Sequence, residues 1–170
     1  MPDITGTLNE FFTNSPLREL SGNLLRSVPG LPPIVQTIHL LGVAVIVASI
    51  MMICLRILGL AARRQDPYEM TQRLFPWFFC ALPIMLASGA LFFLARPQRY
   101  LYNPIFTIKA AAFLLTLIAS VWLWQKSKQL EHAKINFSTK LLSGLVLFGW
   151  VLTAMAGRWI AYSDYIFWPG

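Results

Sequence analysis

The chain has 170 residues, of which 56% are hydrophobic and only 12% charged, whereas soluble domains carry about a quarter charged residues. That composition excludes an ordinary soluble domain. The net charge of +7 does not imply nucleic acid either, because the basic residues flank apolar stretches instead of gathering on one soluble surface.

The first thirty residues hold no long apolar run followed by a cleavage site, so no secretory signal peptide is expected and the first apolar stretch directs insertion. Residues 1–33 read as an amphipathic interfacial segment. In its first half Ile4, Leu8 and Phe11 fall on one side with Phe12 beside them. Ser15-Pro16 then supplies a cap followed by a proline at the first helical position. Leu17, Leu20, Leu24 and Val28 recur at helical spacing opposite Arg18, Glu19, Asn23 and Arg26, a pattern that suits a helix lying in the membrane interface or packed on the end of a bundle. Pro29-Gly30 and Pro32-Pro33 are expected to break the chain before the first span.

Residues 34–170 read as a four-helix transmembrane bundle. The apolar stretches run about 34–60, 74–95, 105–125 and 141–162, and each is long enough for a hydrocarbon core of about 30 Å. Asp66-Pro67-Tyr68-Glu69 combines a cap, a proline and an acid, and predicts a helix that restarts there and runs into the second span. Pro83 is expected to kink that span. Arg96-Pro97 ends it, Asn103-Pro104 starts the third, and Ser138 is the expected cap of the fourth. Ala44 and Ala48, then Thr153, Gly157 and Ala161, place small residues four apart and allow close helix approach. The predicted fold class is all-α: an integral membrane bundle, up and down, with outer interfacial helices.

The connections after spans one and three, with their flanks, carry Arg56, Arg63, Arg64, Arg73, Lys126, Lys128, Lys134 and Lys140. The opposite side carries the smaller set Arg18, Arg26, Arg96, Arg99, Lys109 and Arg158. The positive-inside rule therefore places both termini outside, in the periplasm if the membrane is a Gram-negative inner membrane.

The polar residues of interest lie at that outer end. His39, Arg96, Lys109 and Arg158 come one from each span, and ionisable residues inside spans are costly enough to suggest function. Cations at one level repel unless an anion sits among them, and Asp164 supplies a single negative charge. The missing partner is expected to be a carboxylate ligand, a lipid phosphate or a quinone-type oxygen. Trp159, Tyr100, Tyr102, Tyr162 and Tyr165 surround the same end, where an aromatic belt is also expected. The plain alternatives are that Arg96 and Lys109 snorkel to headgroups, that Arg158 braces the bundle through carbonyls, and that His39 is a neutral imidazole bonded to a neighbouring helix. Imidazole also suits haem iron. His132 lies in the cytoplasmic connection and cannot share an iron with His39, so Met155, at similar depth, is the expected second ligand, unless two copies of His39 meet across a symmetry axis. Cys54 and Cys80 read as buried apolar residues or, with Met51 or Met52, as a soft-metal site.

No Ser-His-Asp order, HExxH, GxSxG or phosphate loop occurs, and no two carboxylates fall within spans, so an enzyme is not expected. The stretch from Ile34 to Gly42 containing His39-Leu40-Leu41-Gly42, together with Arg56–Leu60, Arg99–Pro104, Lys109 and Ala156–Tyr162, resembles an uncharacterised bacterial family of four-span inner-membrane proteins. That resemblance implies architecture and no known activity. The His-Leu-Leu-Gly opening is more loosely similar to copper-resistance proteins of the CopD type and to b-type cytochrome-like bundles.

The leading expectation is an inner-membrane subunit, electron-transfer related, binding an anionic or redox ligand (haem b, quinone or lipid) near the periplasmic face. His39 and Met155 would serve as ligands, and Lys109, Arg158 and Arg96 would hold its negative groups beside Trp159 and Tyr162. The alternatives are a cofactor-free structural subunit of a homo-oligomer or larger membrane complex, and a permease for copper or a small anion.

Overall fold

The computed structural model describes residues 4–128 and 135–162. Its helices are α1 (Ile4–Thr13), α2 (Pro16–Ser27), α3 (Leu31–Leu58), α4 (Pro67–Ala95), α5 (Pro97–Leu101), α6 (Pro104–Ser127) and α7 (Phe137–Trp159), with a 3-10 turn at Ile160–Tyr162. Among the described residues there is no strand. The fold is an all-α bundle, and α3, α4, α6 and α7 are long and apolar enough to cross a membrane.

Local chemistry sets most helix starts. Ser15 accepts from the Leu17 amide at 3.3 Å, Asp66 from Tyr68 at 2.7 Å and Asn103 from Ile105 at 2.9 Å, and each cap is followed by a proline whose missing N–H would have had no helical acceptor. The chain breaks at Pro29-Gly30 as expected, but the same logic corrects the expected break at Pro32-Pro33. Gly30 turns in the left-handed region at φ 81°, and Leu31-Pro32-Pro33 forms the first turn of α3, where proline costs little. The expected cap of the fourth span also moves: Asn136 precedes the first helical residue Phe137, so Ser138 lies inside α7. Gly59, at φ 77°, ends α3 with Leu60 N–H bonded back to the Leu55 carbonyl. Helix α4 runs on through both Pro76 and Pro83.

Helices α3 and α4 form one tight pair, α6 and α7 another, and α3 packs on α7; the seam between α4 and α6 is the sparsest of the four. Gly42 makes the first pair close, since a Cβ there would come within 3.3 Å of Met85 Cβ. Gly149 does the same for the second, where a Cβ would overlap Thr116 Oγ1.

The main core joins Ile46, Ile50, Ile53 and Ile57 of α3 to Phe75 and Phe78 of α4, Leu123 of α6 and Trp150 of α7. A smaller cluster of Ile105, Ala156 and Ile160 lies at the end where α3 and α6 begin and α4 and α7 finish. Large side chains such as Leu115, Ile118 and Phe148 are mostly exposed on the outside, as expected when lipid is the solvent.

The short helices cap that same end. Phe12 of α1 stands edge-on to Phe93 of α4 at 5.1 Å, and Phe93 stacks on Phe106 of α6 at 5.6 Å. Helix α2 follows α1 at this end and leads through Gly30 into the start of α3. It packs on α4 with Ser21 buried, while Leu17, Leu20, Leu24 and Val28 stay exposed.

Candidate functional site

The capped end holds a pair of nitrogenous side chains between the two apolar clusters. His39 lies about 12 Å along α3 from its start and Lys109 about 8 Å along α6, at 1.5 Å per residue. Both are half-buried.

The His39 ring lies across Gly89 of α4: a Cβ on that glycine would come within 3.1 Å of Cε1. Its Nδ1 is 3.0 Å from the Met85 carbonyl and 3.0 Å from Ser88 Oγ. The Ser88 hydroxyl is in turn 2.8 Å from the Ile84 carbonyl. A carbonyl only accepts, so the proton of the neutral ring must reside on Nδ1 and be donated to Met85. That tautomer leaves a lone pair on Nε2. Fixing one imidazole nitrogen by a carbonyl is also how proteins orient a histidine whose other nitrogen binds something.

Lys109 crosses α7 in a parallel way. A Cβ at Gly157 would be 3.2 Å from Nζ and 3.4 Å from Cε. Among the described residues, neither His39 Nε2 nor Lys109 Nζ has a hydrogen-bond partner. Two glycines on α4 and α7 therefore make room for two polar side chains on α3 and α6, leaving an acceptor and a donor near the end of the bundle where α3 and α6 begin.

The other expected site residues stand apart. Arg158 is exposed; its Nη2 is 3.3 Å from Tyr162 Oη and its guanidinium 5.5 Å from that ring. Met155, Trp159 and Tyr162 are each nearly half exposed, and Arg96 is exposed where α4 ends. Of the expected cations from four helices, His39 and Lys109 are the two that pack inside the bundle, each on a glycine of a neighbouring helix. Asp164, Tyr165, His132 and Lys134 lie outside the described residues. Cys54 is buried in the core and Cys80 is exposed, and among the described residues no three His, Cys, Asp or Glu side chains gather to hold a metal ion. Two surface depressions, one near Thr7 and Phe11, the other near Leu117 and Trp122, include neither His39 nor Lys109.

Sequence reasoning missed Ser88 and Gly89 as partners of His39. Their only signal is a small polar pair inside an otherwise bulky apolar helix. It also missed the buried bond from Trp150 Nε1 to Ser120 Oγ, 2.9 Å, which ties α7 to α6 deeper in the bundle.

Residues 28–163 match the model of a protein family described as a family of unknown function (DUF6644). No curated protein and no solved structure matches the chain.

Proposed function

The chain belongs to DUF6644, a family of unknown function, and from that premise and the geometry above we propose that it is a membrane-embedded binding subunit holding an anionic or redox ligand between His39 and Lys109. One observation carries the reading: near one end of the bundle an oriented imidazole lone pair and an ammonium, both half-buried and each resting on a glycine of a neighbouring helix, have no hydrogen-bond partner among the described residues. In a poorly hydrated bundle such groups are costly unless something pairs with them. His39 Nε2 suits a metal centre or a hydroxyl proton, and Lys109 suits an oxygen carrying negative charge. Haem b, a quinone and a lipid phosphate each offer part of that chemistry. The bias of basic residues supports placing this end at the outer face of a bacterial inner membrane.

The deciding experiment is an absorbance spectrum and a quinone and lipid analysis of the full chain, purified in mild detergent from its native membrane. A ligand retained near one per chain, and lost in His39→Ala with the helical circular dichroism unchanged, is the expected result. Equal ligand content in wild type and His39→Ala, or none in either, overturns the reading and leaves a cofactor-free structural subunit.

A further inference from the structure

At the end of the bundle opposite the cap, α6 closes with the run Trp122-Leu123-Trp124-Gln125-Lys126-Ser127-Lys128. It sets two tryptophan–lysine pairs at four-residue spacing, which brings each pair onto one side of the helix. Both pairs are made: Lys126 Nζ lies 4.8 Å from the centre of the Trp122 ring and Lys128 Nζ 3.8 Å from that of Trp124. Trp124 turns into the bundle, edge-on to Phe79 at 5.2 Å, whereas Trp122 is exposed on the outside. At about 100° per residue, Gln125 stands between the two lysines on the circumference of the helix. Among the described residues neither ammonium is paired with a carboxylate. Two arginines of the α3–α4 connection are already engaged: Arg56 donates to the Gln65 carbonyl and Arg63 to that of Gly59.

Just before this run the outer face of α6 is hollowed. A depression there is lined by Leu117, Ile118, Val121, Trp122 and Gln125. At 1.5 Å per residue it extends from about 20 Å to about 32 Å along α6, and Lys126 stands at about 33 Å. The hydrocarbon core is about 30 Å thick. The apolar part of the depression therefore falls at acyl-chain depth in one leaflet, and the ammoniums fall at the level of its headgroups. The feature is apolar below, carries an amide at its rim and is positive above.

We infer that this face binds one anionic phospholipid of the leaflet in which α6 ends. An acyl chain lies against Leu117, Ile118 and Val121, and the phosphate accepts from Lys126, Lys128 and the Gln125 amide. Trp122 walls the depression and holds Lys126 by its ring face. An anionic headgroup is favoured over a zwitterionic one because two cations flank the rim and no carboxylate lines it to take a choline nitrogen. The site lies at the opposite end of the bundle from His39 and Lys109 and does not depend on the ligand proposed there.

The test is native mass spectrometry of the full chain in mild detergent, titrated with phosphatidylglycerol and phosphatidylcholine of identical acyl chains. One phosphatidylglycerol per chain should bind at least tenfold more tightly than phosphatidylcholine. Lys126→Gln combined with Lys128→Gln should abolish that preference. Val121→Trp and Ile118→Trp fill the depression and keep both lysines, and each should weaken phosphatidylglycerol binding at least tenfold while the thermal melt holds. Equal wild-type affinity for the two lipids, or an unaltered preference in the double lysine variant, overturns the site. Loss of preference in that variant, with wild-type affinity in both filled variants, overturns the seated acyl chain and leaves only charge attraction at the membrane surface.

Discussion

At His39 a single carbonyl decides the chemistry. Because Met85 can only accept, Nδ1 must donate, and the useful lone pair moves to Nε2. Ser88 is a helper whose hydroxyl also reaches the Ile84 carbonyl, so Ser88→Ala should weaken ligand binding only a few-fold while Met85 still holds the ring. Gly89 is more critical. Gly89→Val brings new atoms within about 3 Å of the His39 ring and should lower affinity at least tenfold, at a stability cost of about 1–3 kcal/mol for overpacking. Binding titrations and thermal melts of the two variants check this order. Arg158, paired with Tyr162 on the outside, should tolerate Arg158→Gln with less than a threefold loss.

At the scale of elements, the packing of α6 on α7 depends on a glycine. Gly149 admits Thr116 so closely that a Cβ would overlap its side chain. Gly149→Ala should therefore destabilise the bundle by about 1–3 kcal/mol, and Thr116→Ala in the same chain should recover part of the loss, a coupling readable by a double-mutant cycle. The Trp150–Ser120 bond should contribute about 0.6 kcal/mol, the average for hydrogen bonds between membrane helices, so Trp150→Phe should lower the melting temperature only slightly. Helix α2 behaves unlike an amphipathic helix on a soluble core: the buried contact is Ser21, and its leucines face outward. Its large apolar side is exposed, and Leu20→Glu should disturb membrane placement more than Ser21→Ala.

For the whole molecule, the apolar exterior and the four long helices make a multi-pass membrane protein, and the topology is open to direct measurement. In a background of Cys54→Ala and Cys80→Ser, a cysteine at Arg99 should label with an impermeant maleimide in intact spheroplasts, whereas one at Gln65 should label only after permeabilisation. The reverse pattern would invert the orientation inferred from the basic residues.

The sequence by itself determined the solvent and the frame. Runs of about twenty apolar residues have one stable form in a bilayer, because every backbone group must be bonded within the segment. Cap-and-proline pairs at Ser15, Asp66 and Asn103 fixed where helices begin because those contacts are local. It also singled out His39, Arg96, Lys109 and Arg158 as a group, since an ionisable residue inside a span stands out by its cost. Tertiary structure alone decided which of the polar residues meet. Whether Arg158 turns inward or out to Tyr162, and whether Ser88, Gly89 and Gly157 form the cradle of a site or merely thin a helix, depends on how four nearly uniform apolar cylinders are rotated against one another. With lipid on one side and apolar neighbours on the other, hydropathy barely distinguishes the faces, so the rotation is set by side-chain fit between helices far apart in the chain.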